Sequence, residues 1–262
     1  MNREDFETLG DLHKKYEART ETYLLPGCPV VVRLDGRSFS KYTKGLERPY
    51  DARMSLAMIE TTKFLLGETH ASIGYCQSDE ITLGFRNENE ESYIMFSGRV
   101  QKICSIFASL ASVKFNRLVG ETIPEKSQLF PVFDARVFQY PTLELACYSF
   151  LWRETDATRN SLTMLAHSFY TPKELHKAGF QKKHDLLHAK GVNWNDYPDF
   201  FKRGTYVGSR VQMKELSVDE LKNIPEKHRP TGPIARNVII DLKLPPYTQI
   251  VDPVSVFFVD KV

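Results

Sequence analysis

The chain has 262 residues, 42% hydrophobic and 26% charged, a composition that fits one large globular core or a core with an appendage. Its 35 basic and 33 acidic side chains leave a net charge of +2, which excludes a histone-like polycation but leaves room for a local basic face. The cysteines Cys28, Cys76, Cys104 and Cys147 are too scattered for a disulfide framework or a zinc knuckle, and no run approaches the roughly 18 apolar residues of a membrane span.

Residues 1–24 predict a covering helix, with Phe6, Leu9, Leu12 and Tyr16 at helical spacing and Pro26-Gly27 as its breaker. The same polar stretch lacks the apolar centre of a secretory signal, so a cytoplasmic location is expected. CPVVVRLD (28–35) reads as a buried strand that closes at Asp35, and GRSFSKYTKGLERPY (36–50) as a loop. A helix is expected from Asp51, its N-cap, to about Leu66, with Met54, Leu56, Ala57, Ile59, Phe64 and Leu65 as its apolar face. Residues 71–78 and 81–86 predict two strands joined by a tight turn at Asp79-Glu80, because Ile81, Leu83 and Phe85 alternate with Thr82 and Gly84. NENEES (87–92) is a solvated connection. A second amphipathic helix over 97–118 carries Val100, Ile103, Cys104, Phe107, Ala108, Ala111 and Phe115, and 128–141 supplies a fourth strand.

The order β-α-β-β-α-β predicts an α+β, ferredoxin-like core over 1–141, with four antiparallel strands and two helices on one face. Residues 142–262 are expected to form a helical and mixed extension packed on that core. Its helices are predicted at 142–152, 157–168 and 172–189, with strand-like stretches at 236–242 and 254–260.

YCQSDEITLGF (75–85) poses the chemical question. Asp79 and Glu80 read either as a solvated turn or as holders of a cation. In the predicted topology the first strand neighbours the third, so Asp35 and the hairpin tip at Asp79 can share one edge of the sheet. Converging carboxylates are costly without a cation. Magnesium binds one or two carboxylates plus substrate phosphates, and a pair of such ions serves phosphoryl or nucleotidyl transfer. Gly36 lets the backbone approach a ligand, and Arg37, Ser38, Phe39 and Ser40 offer amides and hydroxyls for a triphosphate.

RLDGRSF (33–39), YCQSDE (75–80), FDARVFQYP (133–141) and LWRETDATRNSL (151–162) occur here in the order of the tRNA-His guanylyltransferase family, and the chain resembles that family over about 30–210. The resemblance implies a polymerase-like palm, two Mg²⁺ ions, NTP substrates including GTP and ATP, a tRNA acceptor and a homotetramer. By motif it implies that Asp35 and Asp79 are catalytic metal ligands with the Gly36 carbonyl. Residues 35–40, Ser78 and Asp79 would line the nucleotide, Arg48 would touch phosphate, and Glu80 would act electrostatically. The family's tRNA-His enzymes of eukaryotes carry His-Ile-Asn-Asn-Leu-Tyr-Asn-Thr where this chain has Thr158 to Leu165. That departure resembles the bacterial and archaeal-type relatives and implies template-dependent 5′-end repair, with single-G addition to tRNA-His as the alternative.

Lys173, Lys177, Lys182 and Lys183, with Arg153, form either a tRNA-facing surface or a solvated helix face. Trp152 beside Arg153 reads as a base-stacking pair or a buried indole. Arg99 and Lys102 are candidate triphosphate contacts. Two other functions share the predicted topology: a palm-type nucleotide cyclase and a non-catalytic RNA-binding module.

Overall fold

The computed structural model describes residues 3–87 and 95–259. Helix α1 (Arg3–Ala18) leads into β1 (Val30–Gly36), the short α2 (Phe39–Tyr42) and α3 (Ala52–Thr69). The hairpin β2 (Ile73–Gln77) and β3 (Glu80–Phe85) follows, then α4 (Val100–Thr122) and β4 (Phe133–Gln139). Beyond these come α5 (Leu143–His167), α6 (Phe180–His188), α7 (Asp199–Lys202), β5 (Thr205–Lys214), α8 (Val218–Lys222), β6 (Ile234–Leu242) and α9 (Pro253–Phe257). The six strands form one antiparallel sheet in the order β4-β1-β3-β2-β5-β6.

β1 is apolar on both faces because both are covered. Val32 and Leu34 join Ile81, Leu83, Met58, Leu65, Phe107 and Phe115 in the core beneath α3 and α4. Val31 joins Ile73, Tyr75, Phe150, Tyr206 and Phe257 in a second core beneath α5 and α9. α4 is long and apolar enough to span a membrane, yet its Ile103, Phe107, Ala111, Phe115 and Val119 stripe is buried. That stripe is the packing face of a core helix.

Several expectations need correction. Leu9, Leu12 and Tyr16 of α1 are exposed; the side chain of Phe6 and most of 87–92 lie outside the described residues. The 36–50 loop contains α2. The hairpin tip is Ser78-Asp79, and Glu80 already belongs to β3, paired with Gln77. The break expected near 152–157 is absent: α5 is continuous, since the polar Glu154 and Ser161 turn inward and are bonded there. In 172–189 only Phe180–His188 is α-helical. The 254–260 stretch holds α9 instead of a strand, because Asp252 accepts from the Ser255 amide and Pro253 occupies the first helical position.

Candidate active site

β1 runs out at Asp35-Gly36 on the rim of the sheet. Asp35 stands in register with Glu80 on β3 and with Asp134 on β4. Cross-strand partners share a face, so three carboxylates line up across neighbouring strands. The Gly36 N–H donates to the Asp79 carbonyl at 3.0 Å, which stitches the end of β1 to the tip of the β2–β3 hairpin. Asp35 and Asp79, far apart in sequence, therefore meet at one edge.

The tip is held in an uncommon backbone state. Ser78 has φ 53°, in the left-handed region, and its hydroxyl donates to Asp79 Oδ1 at 3.0 Å. Across the rim Ser38 has φ 58°. Gly36 needs its missing side chain, since a Cβ there would meet the Phe39 ring at 2.4 Å. That ring is fixed against Tyr42, Phe115 and Phe133. Phe39 is thus a core residue whose contribution to the rim is its backbone. The Gly36 and Arg37 amides are already spent on Asp79 and Val132. This leaves the amides at the start of α2, where a helix has no intrahelical acceptors for its first N–H groups.

Burial, then the charge of Asp35, push the Asp79 carboxyl above its ordinary range, and the Ser78 hydroxyl only partly opposes this. Glu80 is also pushed up by burial, while Arg153 and Arg33 pull it back. The rim thus gathers acidic oxygens that a cation would relieve. Among the described residues no group of three or more His, Cys, Asp or Glu side chains is set to hold a metal. Two carboxylates and a nearby carbonyl nonetheless fit magnesium, which takes its remaining ligands from phosphates and water.

Glu80 itself is committed. It accepts from Arg153 Nε at 2.5 Å and faces Arg33 at 3.8 Å, with all three side chains mostly shielded. Arg153 also reaches Asp156 at 2.8 Å. This corrects the reading of Arg153 as an RNA-facing cation: its charge is tied beneath the rim. Trp152 is 51% exposed, so of its two readings the buried indole is excluded.

Beside the hairpin tip lies a cavity of about 380 Å³, lined among others by Ser40, Thr43, Glu47, Arg48, Gln77 and Ser78. Met164 and His167 from the end of α5 and Phe201 of α7 close its far side. Asp51, also on its wall, is fully occupied: it caps α3 through the Arg53 amide at 3.0 Å and pairs with the Arg53 guanidinium at 2.8 Å. Hydrogen bonding from Arg53 holds its carboxyl below the usual range.

Other predicted residues lie elsewhere. Arg99 and Lys102 open α4, whose start is bonded to Thr22 and Leu24, next to where Leu25 meets Gln139 at the opposite end of β1. β3 carries the chain away from the rim before α4 begins, so these cations are remote from it. Lys173, Lys177 and Lys182 are exposed, while Lys183 donates to Thr163 of α5 at 2.8 Å and packs between helices. Sequence reasoning missed Asp134, although its register beside Asp35 follows once β1 and β4 are neighbours. It also missed Thr43, Glu47 and Gln77, polar residues whose spacing carries no motif.

A family model described as tRNAHis guanylyltransferase (Thg1) matches residues 10–141. The chain is 31% identical to an uncharacterized protein of Acanthamoeba polyphaga mimivirus, over 83% of this chain and 81% of that one. It is 30% identical to the tRNA(His) guanylyltransferase of Debaryomyces hansenii, over 71% of this chain and 75% of that one. Among solved structures it is similar to a bacterial tRNA(His) guanylyltransferase (Thg1)-like protein in complex with ATP. That likeness has a TM-score of 0.72 and 34% identity, covering 77% of this chain and 87% of the other. Such a protein in complex with GTP matches with a TM-score of 0.65 and 32% identity, over 77% of this chain and 86% of that one.

Proposed function

The chain belongs to the tRNAHis guanylyltransferase family, whose members are nucleotidyltransferases, and we propose that it adds nucleotides to the 5′ end of tRNA in the 3′-to-5′ direction, guided by a template strand. The observation that carries this reading is the stitched rim, where the Gly36–Asp79 backbone bond sets Asp35 beside Asp79. The strand order β4-β1-β3-β2 behind it supports a ferredoxin-like palm. In this reading residues 1–141 are the catalytic core and 142–262 the part that meets RNA. The active assembly is a homotetramer in the cytoplasm.

Asp35 and Asp79 would hold two magnesium ions, with the Gly36 carbonyl as a further ligand. When bound there, such ions would supply activation of an attacking oxygen and neutralisation of charge on the leaving phosphates. The chain's own residues do the positioning. The cavity beside Ser78 is large enough for a nucleobase and its sugar, which leaves the triphosphate to lie along the rim toward α2. Arg48 lines the cavity wall, and in this reading its guanidinium meets phosphate. Glu80, neutralised by Arg153 and Arg33, keeps the rim's total charge in check and holds β3 against α5. No side chain need become covalently attached, so rate comes from placement and charge.

Single-G addition to tRNA-His is the second reading, favoured by the Debaryomyces hansenii relative that bears that activity in its name. The eight-residue segment in which this chain departs from the eukaryotic pattern lies within α5. Its Ser161, Leu162 and Leu165 are buried as packing residues and Met164 faces the cavity. An extension assay separates the readings. A tRNA lacking its first nucleotide is offered with each of the four bases opposite the gap. The repair reading expects the incorporated nucleotide to follow the template base. Incorporation of G alone, whatever the opposing base, would replace it with the second reading.

A further inference from the structure

Trp152 has an exposure that its composition argues against. Large indoles are usually mostly buried, yet this one is 51% exposed on the face of α5 that meets the rim. It is also rigidly backed. The Arg33 guanidinium lies 5.1 Å from the ring centroid and that of Arg153 lies 4.5 Å from it. Both guanidiniums lie within 3.8 Å of the same Glu80 carboxylate, itself only 15% exposed, so the cations packed on the indole are anchored in turn. Glu80 in turn stands in register with Asp35. An exposed aromatic face is thus fixed, through two cations and one carboxylate, to the strand that ends in the candidate metal site.

Its position on the helix narrows what it would touch. Met164 and His167, at the other end of α5, border the cavity beside Ser78. Trp152 lies about 18 Å from Met164 along the helix, at 1.5 Å per residue. The cavity adjoins the rim through Gln77 and Ser78, while Trp152 adjoins it through Glu80 and Arg153. A nucleotide seated in the cavity with its phosphates on the rim would not extend to the indole. The ring is left for the other substrate, the polynucleotide whose end is brought to the rim.

We infer that Trp152 is a stacking platform for a base at the end of the RNA acceptor, held in place by Arg33, Arg153 and Glu80. This rests on the tRNA-extending function proposed above. Every base presents a π-face, so such a platform positions an RNA end without reading its sequence. Two guanidiniums, 5.1 and 4.5 Å from its centroid, hold the half-exposed indole, and the ring is a positioning group that takes no part in bond making.

The chain has only two tryptophans, and the other, Trp194, is buried among Leu162, Leu165, Leu187 and Phe201. Emission quenching therefore reports on Trp152, with Trp152→Phe as the control that retains Trp194. The probe is an acceptor-stem hairpin lacking its first nucleotide and bearing a 5′-monophosphate, with magnesium present and NTP absent; its binding is followed separately by anisotropy. Expected is quenching of the wild type at the concentration where anisotropy rises, with little change in Trp152→Phe. GTP or ATP alone should leave the emission unchanged. In steady-state extension, Trp152→Ala should raise KM for the hairpin about ten-fold, the order that stacking of one base supplies. Its kcat and its KM for NTP should be unchanged, and Trp152→Phe should restore most of the loss. A hairpin that binds without altering Trp152 emission overturns the platform, as do quenching by NTP alone and an unchanged KM in Trp152→Ala. Emission already shielded from acrylamide in RNA-free protein gives the ring to a second copy of the chain and also overturns it. A hairpin that does not bind at all overturns the tRNA reading first, and the platform with it.

Discussion

Glu154, next to Arg153 in sequence, faces the other way and has a different task. Its carboxylate accepts from the Tyr206 hydroxyl at 2.9 Å and from the Tyr247 amide at 2.9 Å, joining α5 to β5 and to the segment before α9. Burial pushes its carboxyl above the ordinary value of 4.5, with the hydrogen bonds and Arg203 only partly opposing this. A group raised in the folded state stabilises the fold in its protonated form. That contribution is complete below pH 4.5 and is lost as pH rises through the raised folded value. Glu154→Gln cannot ionise. Its urea-denaturation stability should fall less than that of the wild type as pH climbs from 4.5 toward neutrality. Parallel pH profiles for the two proteins would show that Glu154 is not held against its charge. The site's acids were legible in sequence for a related reason. Asp35 ends an apolar strand and Asp79 interrupts an alternating one, and a charge at such places stands out. The partners of Glu80 were not legible. Arg33 and Arg153 read as ordinary cations until the fold sets them beside one carboxylate.

At the scale of elements, α5 and the β2–β3 hairpin are locked by that ion pair. Glu80 and Arg153 are both largely out of water, at 15% and 11% side-chain exposure, so removing one partner strands the other. Arg153→Met should cost about 3 kcal/mol, the lower end for a broken buried pair, since Arg33 still faces Glu80. The double variant Arg153→Met with Glu80→Gln should cost less than the sum of the singles, with a coupling of about 1–3 kcal/mol in urea unfolding. Additive costs would mean that the pair does not join the two elements. The elements that sequence patterns missed share a physical cause. β1, β2 and β3 lie in the centre of the sheet, and their apolar runs are compact. β5 begins buried beside β2 and ends exposed, so no single period marks it. The chain enters it through Gly204 at φ 80°, where a Cβ would meet the Cys76 carbonyl at 2.6 Å. Separate helices are expected at 142–152 and 157–168, yet α5 runs unbroken from Leu143 to His167. In the fold its polar residues are the helix's bonding face.

For the whole molecule, one sheet serves both parts of the chain. β5 pairs with β2 and β6 with β5, so the segment after 142 continues the sheet that carries the rim, and α5 covers its second face. That placement sets the cavity at one end of α5 and Trp152 toward the other, with the rim between them. Under the function proposed above, a nucleotide and an RNA end would approach Asp35 and Asp79 from different sides of this surface. The most direct measurement is magnesium-dependent incorporation of labelled NTP at the 5′ end of a tRNA lacking its first nucleotide, in wild type and in Asp35→Ala with Asp79→Ala. The wild type should extend the tRNA, and the double variant should lose at least about 10²–10³-fold in rate, the loss typical for removing one preorganised electrostatic group, while still binding the tRNA. Incorporation that persists in the double variant, or that proceeds equally without divalent metal, would contradict the assignment of the two aspartates.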